Sequence, residues 1–255
     1  MILVDACCNT PPTDAQWQPK GQEKVLILTN GEERKVYRTG PKDSKRGIVA
    51  IYDIFGYHPT SIQFFDRIAT SNGGFQVAVP EIFKELIPLS ITGDMPAMLA
   101  WLREHGDYKK SNMIELIMAA VEDLRADGCT TFSILGQCWG TYIALQAASE
   151  DGTPFLAVGG PHPSVTNIET VKNVKCPLIL LPSKDEADMI PVLESVKHKN
   201  FPVESFHKRF TTMHHGWTGG RGDWTDPEQL KAGVEAADLL GQYFAKVAEV
   251  SESKQ

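Results

Sequence analysis

The stretch SILGQCWGTYIALQ, residues 133–146, decides the fold of this chain. Its apolar start predicts a buried strand that breaks at Gly136, and the run after Gly140 has the composition of a helix. Cys138 therefore stands between two glycines, at a turn from a strand into a helix. A buried thiol is the plainer interpretation of such a cysteine. The alternative is a nucleophile held on a sharp elbow above a sheet.

The composition narrows the class of protein. The 255 residues are 42% hydrophobic and 22% charged, with a formal charge of −7. These proportions are near globular averages, and an acidic chain lacks the basic surface that binds nucleic acid. No apolar run reaches the roughly 20 residues of a membrane span, and residues 1–12 show neither the basic start nor the full apolar region typical of a secretory leader. We expect a cytoplasmic protein without nucleic-acid or membrane partners, whose oligomeric state stays open.

The cysteines do not form a metal or redox motif. Cys7, Cys8, Cys129, Cys138 and Cys176 lack the paired spacing of a zinc site or of a thioredoxin-like protein. We therefore expect reduced thiols, no metal and no cofactor. A thiol-redox function is a weak alternative, since Cys138 has no evident resolving partner.

The order of the segments predicts an α/β fold. From about residue 35, short β-rich runs alternate with helical patterns, which indicates a mostly parallel twisted sheet with helices on both faces. No repeat or linker divides residues 1–255, so we predict a single domain with loosely held ends, at about 1–20 and 249–255. The segment 86–111 is a candidate lid. The predicted strands begin near residues 35, 47, 75, 131, 154, 177 and 204.

A carboxylate follows a strand after the elbow, as an elbow hydrolase requires. The predicted strand PLILLPS, residues 177–183, runs directly into three acidic residues. Asp185 is the favoured acid because it lies nearest the end of the strand. Glu186 and Asp188 are close enough to take its place and remain alternatives.

A histidine pair follows the last predicted strand. His214 and His215 precede a glycine-rich stretch, and neighbours on an extended segment point to opposite faces. We favour His215 as the general base and His214 as its neighbour. Cys138, an acid and His215 then stand in the order nucleophile, acid, base along the chain, which predicts nucleophilic catalysis.

Several segments together resemble the dienelactone hydrolase family of α/β-hydrolases, over roughly residues 20–248, and DACCNTPP at residues 5–12 is similar to fungal members. The resemblance implies an α/β-hydrolase fold and cleavage of a small ester or lactone through an acyl-enzyme, without a cofactor. The matching segments are YDIFGYHP at 52–59, VAVPEIF at 77–83, GQCWG at 136–140 and HHGWTGGRGD at 214–223.

The same resemblance assigns roles to single residues. It carries the family's Cys-Asp-His triad onto Cys138, Asp185 and His215. The family's oxyanion hole of two backbone N–H groups falls on Ile54 and Trp139.

The chain departs from the family around the thiol and the substrate. Asp53 stands where the family has a glutamate, one methylene longer, that contacts the thiol. Arg221 matches a cation that binds substrate carboxylate, and Lys84 is expected to assist it. Trp217 and Phe55 are predicted to line the substrate site. A non-catalytic ligand-binding protein on the same fold is the alternative function.

Overall fold

The computed structural model of the chain describes residues 10–253. Eight strands in that range lie in one sheet. They are β1 (Gln22–Ile27), β2 (Glu33–Thr39), β3 (Arg46–Ile51), β4 (Gln76–Pro80), β5 (Thr131–Gly136), β6 (Phe155–Pro161), β7 (Leu178–Leu181) and β8 (Phe206–His207).

The sheet is mostly parallel. Its strand order is β1-β2-β4-β3-β5-β6-β7-β8. β1 and β2 pair antiparallel, as do β2 and β4, while every pair from β4 to β8 is parallel. The central strands β4 and β5 are buried along their whole length, because helices cover both faces. The predicted α/β class is confirmed.

Seven helices connect the strands of the described range. Asp226 begins the last of them, since its carboxylate accepts a hydrogen bond from Glu228 N–H at 2.8 Å and Pro227 takes the first helical position. The helices are α1 (Pro59–Ala69), α2 (Met95–His105), α3 (Met113–Ala126), α4 (Trp139–Ala147), α5 (Ile168–Val171), α6 (Ile190–Glu194) and α7 (Pro227–Glu252), with short 3₁₀ turns at Leu89–Ile91 and Lys197–Lys199.

Both ends of the described chain make contacts with the rest of the structure or continue a helix. Residues 10–20 have no regular structure but are tied down, because Trp17 Nε1 donates to an Asp66 oxygen at 2.7 Å and Thr13 N–H donates to Gly220 O at 2.9 Å. At the other end α7 continues through Glu252, and the loosely held ends stay a prediction. Cys7 and Cys8 lie outside the described residues.

The candidate lid is anchored by a helix that packs on the rest of the structure. Segment 86–111 contains α2, whose fully buried side chains are Met98 and Leu102. Trp101 on the same helix packs edge-on against Phe83, with ring centres 4.9 Å apart. Within residues 10–253, no helix combines the length and the apolar character needed to cross a membrane.

Candidate active site

Cys138 occupies a strained turn between β5 and α4. Its backbone has φ 52° and ψ −119°, in a region that side-chain-bearing residues rarely adopt. A Cβ on Gly136 would lie 2.1 Å from Gly140 O, and a Cβ on Gly140 would lie 2.6 Å from Ile51 O. Both glycines are therefore required by close backbone packing, as the elbow interpretation predicted.

A continuous relay joins the thiol to a carboxylate. Cys138 Sγ lies 3.1 Å from His215 Nε2, and His215 Nδ1 lies 2.6 Å from Glu186 Oε1. Cys138 and His215 are each only 1% exposed, and the Glu186 side chain is fully buried. The imidazole is thus placed to take the thiol proton on Nε2, while the carboxylate orients it through Nδ1.

Glu186 holds the position that the sequence assigned to Asp185. The Asp185 carboxylate accepts the backbone N–H of His215 at 2.7 Å, so it holds the main chain of the histidine and leaves the ring to Glu186. Ser183 donates to Glu186 through its N–H and, at 3.1 Å, through its hydroxyl. Asp188 is exposed and accepts from Ile190 N–H at 3.0 Å, at the start of α6. The assignment of Asp185 to the imidazole is therefore wrong.

His214 is a neighbour of the base, not a part of the relay. Its Nε2 lies 3.3 Å from Gln229 Oε1 on α7, and its Nδ1 lies 2.9 Å from the carbonyl oxygen of His215. These contacts fix the ring against the last helix. The relay therefore uses the second histidine of the pair.

The backbone groups of the expected oxyanion hole follow β3 and β5. Trp139 is the first residue of α4, where N–H groups have no partner within the helix. Within residues 10–253, no backbone acceptor pairs with the N–H of Ile54 or of Trp139. Two unpaired N–H groups are what a developing oxyanion requires. Their role stays a prediction.

Asp53 makes contacts other than the predicted one with the thiol. One of its carboxylate oxygens accepts from Phe55 N–H at 2.9 Å and the other from Gly220 N–H at 2.7 Å. The residue is 2% exposed. A Cβ on Gly219 would lie only 2.3 Å from this carboxylate. Asp53 therefore ties the turn after β3 to the loop that carries His215.

Arg221 and Phe55 pack against each other. The guanidinium carbon lies 4.9 Å from the centre of the Phe55 ring, and Arg221 Nε donates to the carbonyl oxygen of Thr10. Arg221 is 3% exposed. Binding of a substrate carboxylate by Arg221 stays a prediction, and this burial against the chain's own carbonyl argues against it.

Lys84 and Trp217 are placed differently from their predicted roles. Lys84 is two-thirds exposed and its Nζ lies 2.9 Å from a Glu32 carboxylate oxygen, so the chain itself neutralises it. Trp217 is fully buried and packs on Phe210, with ring centres 4.6 Å apart. Its carbonyl oxygen accepts from Trp224 Nε1 at 3.0 Å. Trp217 thus belongs to the core beneath the histidine loop.

Two residues of the site were missed from the sequence. Arg209, just after β8, donates to the carbonyl oxygens of Ser183, of Glu186 at 2.9 Å and of Ala187 at 2.7 Å. These three bonds fix the acid loop, residues 183–187, around the Arg209 side chain. His162, just after β6, lies against His215. The sequence signal for His162 was its position between two prolines at the end of a predicted strand.

One known protein family matches most of the chain. A model of the dienelactone hydrolase family matches residues 35–214, which include the elbow and end at His214. The chain belongs to this family. It is therefore a hydrolase of the dienelactone hydrolase type, and the predicted family resemblance is confirmed.

Relatives extend the match to nearly the whole chain. Two uncharacterized AIM2 family proteins of Schizosaccharomyces pombe are 27% and 24% identical to it. The alignments cover 94% of this chain and 98% and 97% of the relatives, respectively. The predicted similarity to fungal proteins is therefore confirmed.

Solved structures share the fold. A putative dienelactone hydrolase from Klebsiella pneumoniae has a TM-score of 0.63 at 14% identity, over 85% of this chain and 98% of that one. A dienelactone hydrolase-like promiscuous phosphotriesterase from metagenomic libraries has a TM-score of 0.62 at 13% identity, over 89% and 98%. At these identities the likeness concerns the α/β-hydrolase fold alone.

Proposed function

We propose that this protein cleaves a small ester or lactone through a covalent thioester on Cys138. One observation carries the proposal: a thiol sulfur lies 3.1 Å from an imidazole nitrogen whose other nitrogen lies 2.6 Å from a buried carboxylate. A thiol so placed is activated by an adjacent base, and the base is oriented by a third group. Membership of the dienelactone hydrolase family supports the same reaction class.

The reaction follows from these positions. His215 Nε2 takes the thiol proton as the sulfur forms a bond with the carbonyl carbon, and Glu186 stabilises the imidazolium. The N–H groups of Ile54 and Trp139 hold the negative oxygen, each worth about 3 kcal/mol in other enzymes. The intermediate collapses, the alkoxide leaves with the proton from His215, and the thioester remains. His215 then activates a water that hydrolyses it.

The substrate class follows from the nucleophile and its surroundings. Without prior protonation, a tetrahedral intermediate expels an alkoxide far more readily than an amide anion, so an activated ester or a lactone suits a thiolate better than a peptide. Arg221 and Lys84 already contact Thr10 and Glu32, so we expect uncharged acyl groups to be accepted.

The test is covalent trapping. The protein is mixed with a 4-nitrophenyl ester, and nitrophenolate release is followed together with peptide-resolved mass. We expect an acyl adduct on the peptide that contains Cys138, and a loss of several orders of magnitude in kcat for Cys138→Ala. Cys129→Ala is the matched control. Cys129 is also buried, with 2% of its surface exposed, but it precedes β5, whereas Cys138 follows that strand.

Two results would contradict the proposal. Full activity of Cys138→Ala would remove the nucleophile, and an adduct on another residue would move it. Tight binding of esters without turnover in the native protein would instead support the alternative of a non-catalytic binding protein.

A further inference from the structure

A second histidine ring lies against the base of the relay. The ring of His162 is edge-on to that of His215, with centres 5.1 Å apart and planes at 75°. His162 has no measurable exposure. The proposed mechanism gives it no part, although it lies next to the residue that moves the proton.

The backbone around His162 is built against the nucleophile. His162 has φ 37°, a left-handed conformation that is unfavourable for a residue with a side chain. Its N–H donates to Leu181 O on β7 at 2.9 Å. The residues on either side contact the elbow, because Cys138 N–H donates to Pro161 O at 3.4 Å and Ser164 N–H donates to Cys138 O at 3.1 Å. The backbone that carries the ring is thereby fixed to the elbow.

The hydrogen bonds around the ring determine where its proton lies. Gln137 Nε2 is 2.6 Å from the carbonyl oxygen of Thr218 and 3.2 Å from its hydroxyl oxygen. Only an N–H group can approach a carbonyl oxygen so closely, so the amide orientation is fixed. The Thr218 hydroxyl in turn lies 2.8 Å from His162 Nε2.

The hydroxyl therefore donates to the ring. It already accepts from Gln137, and its single proton has no other acceptor among the described residues than His162 Nε2. A neutral imidazole that accepts on Nε2 carries its proton on Nδ1. This assignment makes Nδ1 a donor.

The ring stays neutral and its donor stays unused. Burial holds the pKa of His162 well below its ordinary value, and the charges of His215, His214 and Arg221 act in the same direction, against a weaker pull from its own carbonyl. Within residues 10–253, Nδ1 of His162 has no hydrogen-bond partner. A buried donor without a partner is costly, so it calls for an explanation, and a ligand oxygen that accepts from it is one.

We propose that His162 is a substrate-binding residue whose Nδ1–H donates a hydrogen bond to an oxygen on the acyl group held between Cys138 and His215. The enzyme then selects acyl groups that carry an ether, keto or hydroxyl oxygen over hydrocarbon groups of the same size. This proposal rests on the proposed function, since it needs an acyl group on Cys138.

The test compares two esters that differ in one atom. The 4-nitrophenyl esters of methoxyacetic and butanoic acid have acyl groups of equal length, in which an oxygen replaces a methylene. The measured quantity is the ratio of their kcat/KM values in each variant, compared with the ratio in the native enzyme. The chemical reactivity of the two esters cancels in that comparison.

Two substitutions separate substrate binding from a structural role. The amide nitrogen of His162→Asn lies where Nδ1 lies, so this variant keeps the donor and loses the contact with Thr218. His162→Gln reaches Thr218 and lacks the donor. We expect His162→Gln to lose the preference for methoxyacetate by about 3- to 10-fold and His162→Asn to keep most of it. His207→Asn, at the edge of the sheet on β8, is the control, because its Nδ1 is also buried without a partner in the described chain.

The outcomes are distinct. An unchanged ratio in a folded, active His162→Gln would overturn the proposal, and so would a ratio lost in His162→Asn and kept in His162→Gln, which is the pattern of a merely structural contact. If the native enzyme forms no adduct on Cys138 with either ester, the proposed function fails and this inference fails with it. An adduct with an unchanged ratio removes the role of His162 alone.

Discussion

Glu186 and Asp185 are adjacent carboxylates with separate targets on His215. In Glu186→Gln the amide still reaches Nδ1 but cannot stabilise the imidazolium, so we expect kcat to fall about a thousandfold or more. In Asp185→Asn the amide oxygen can still accept the backbone N–H of His215, so we expect a loss below about tenfold. Steady-state kinetics with an aryl ester measures both. The opposite order of losses would return the acid role to Asp185.

The choice between these two acids shows where sequence reasoning stops at the level of single residues. The loop after β7 was located from the strand pattern and the order of nucleophile, acid and base. The direction of each side chain depends on the turn formed by Ser183, whose N–H and hydroxyl both donate to Glu186. No periodicity describes such a turn, so proximity to the strand end favoured the wrong residue.

Asp53 links the oxyanion turn to the histidine loop. In Asp53→Asn one acceptor oxygen is replaced by an NH₂ group that faces a backbone N–H, so we expect the free energy of unfolding to fall by about 1 to 3 kcal/mol. We also expect kcat/KM to fall, because both Ile54 and His215 lose a shared anchor. Urea unfolding and ester kinetics measure the two effects.

Asp188→Asn is the matched control for this substitution. Its carboxylate also accepts a backbone N–H two residues ahead, but it is exposed at the start of α6. We expect a change within about 0.5 kcal/mol and normal kinetics. If Asp53→Asn behaves like this control, the hydrogen bonds of Asp53 to Phe55 and Gly220 do not contribute to stability or activity.

Arg209 joins the loop after β7 to the end of β8, so its role depends on how these two strands are placed. Its guanidinium donates to three carbonyl oxygens of residues 183–187, a fork that an ammonium group cannot reproduce. We expect Arg209→Lys to lower kcat with little change in KM, because the carboxylate of Glu186 loses its fixed position. The unfolding free energy should fall by about 1 to 3 kcal/mol.

Lys208→Met is the control for Arg209. Lys208 is the preceding residue, and its ammonium forms a half-exposed ion pair with Glu235 on α7. Exposed pairs contribute about 0 to 1 kcal/mol, so we expect small effects on stability and none on kcat. Equal losses of kcat in both variants would show a general disturbance of β8 and exclude a specific clamp.

The strands were predictable to different degrees. The seven predicted strands appear as β2 to β8. The five from β3 to β7 are buried parallel strands, which have continuous apolar runs. β1 was missed, since it lies at the edge of the sheet and Leu26 is its single buried residue. A strand exposed on most of its length lacks the hydrophobic pattern that identifies the others.

The site as a whole could be located without the strand order. Cys138 follows β5, Glu186 follows β7 and His215 follows β8, and parallel strands end at the same edge of a sheet. The position of β4 between β2 and β3 is a property of long-range pairing that no local pattern encodes. His162 was not predicted as a site residue for a related reason, since its contact with His215 depends on two loops that are distant in the chain.

Two buried thiols, Cys129 just before β5 and Cys176 just before β7, report on the stability of the sheet. Burial raises the pKa of Cys129 to about 11 and that of Cys176 to about 12. At pH 8 only about one in a thousand or fewer of these groups is thiolate, the form that reacts with iodoacetamide. We therefore expect both to resist alkylation in the folded protein.

Unfolding removes the cause of both shifts, so labelling at pH 8 should begin when the chain opens. Cys129 precedes β5 and Cys176 precedes β7, and the sheet that joins them is expected to unfold as one unit. In a urea series, peptide-resolved alkylation of the two cysteines should rise together, at the same midpoint as far-UV circular dichroism. Alkylation of Cys176 at lower urea than Cys129 would show that the β7 side opens first, and the acid loop after β7 would then belong to a separately unfolding unit.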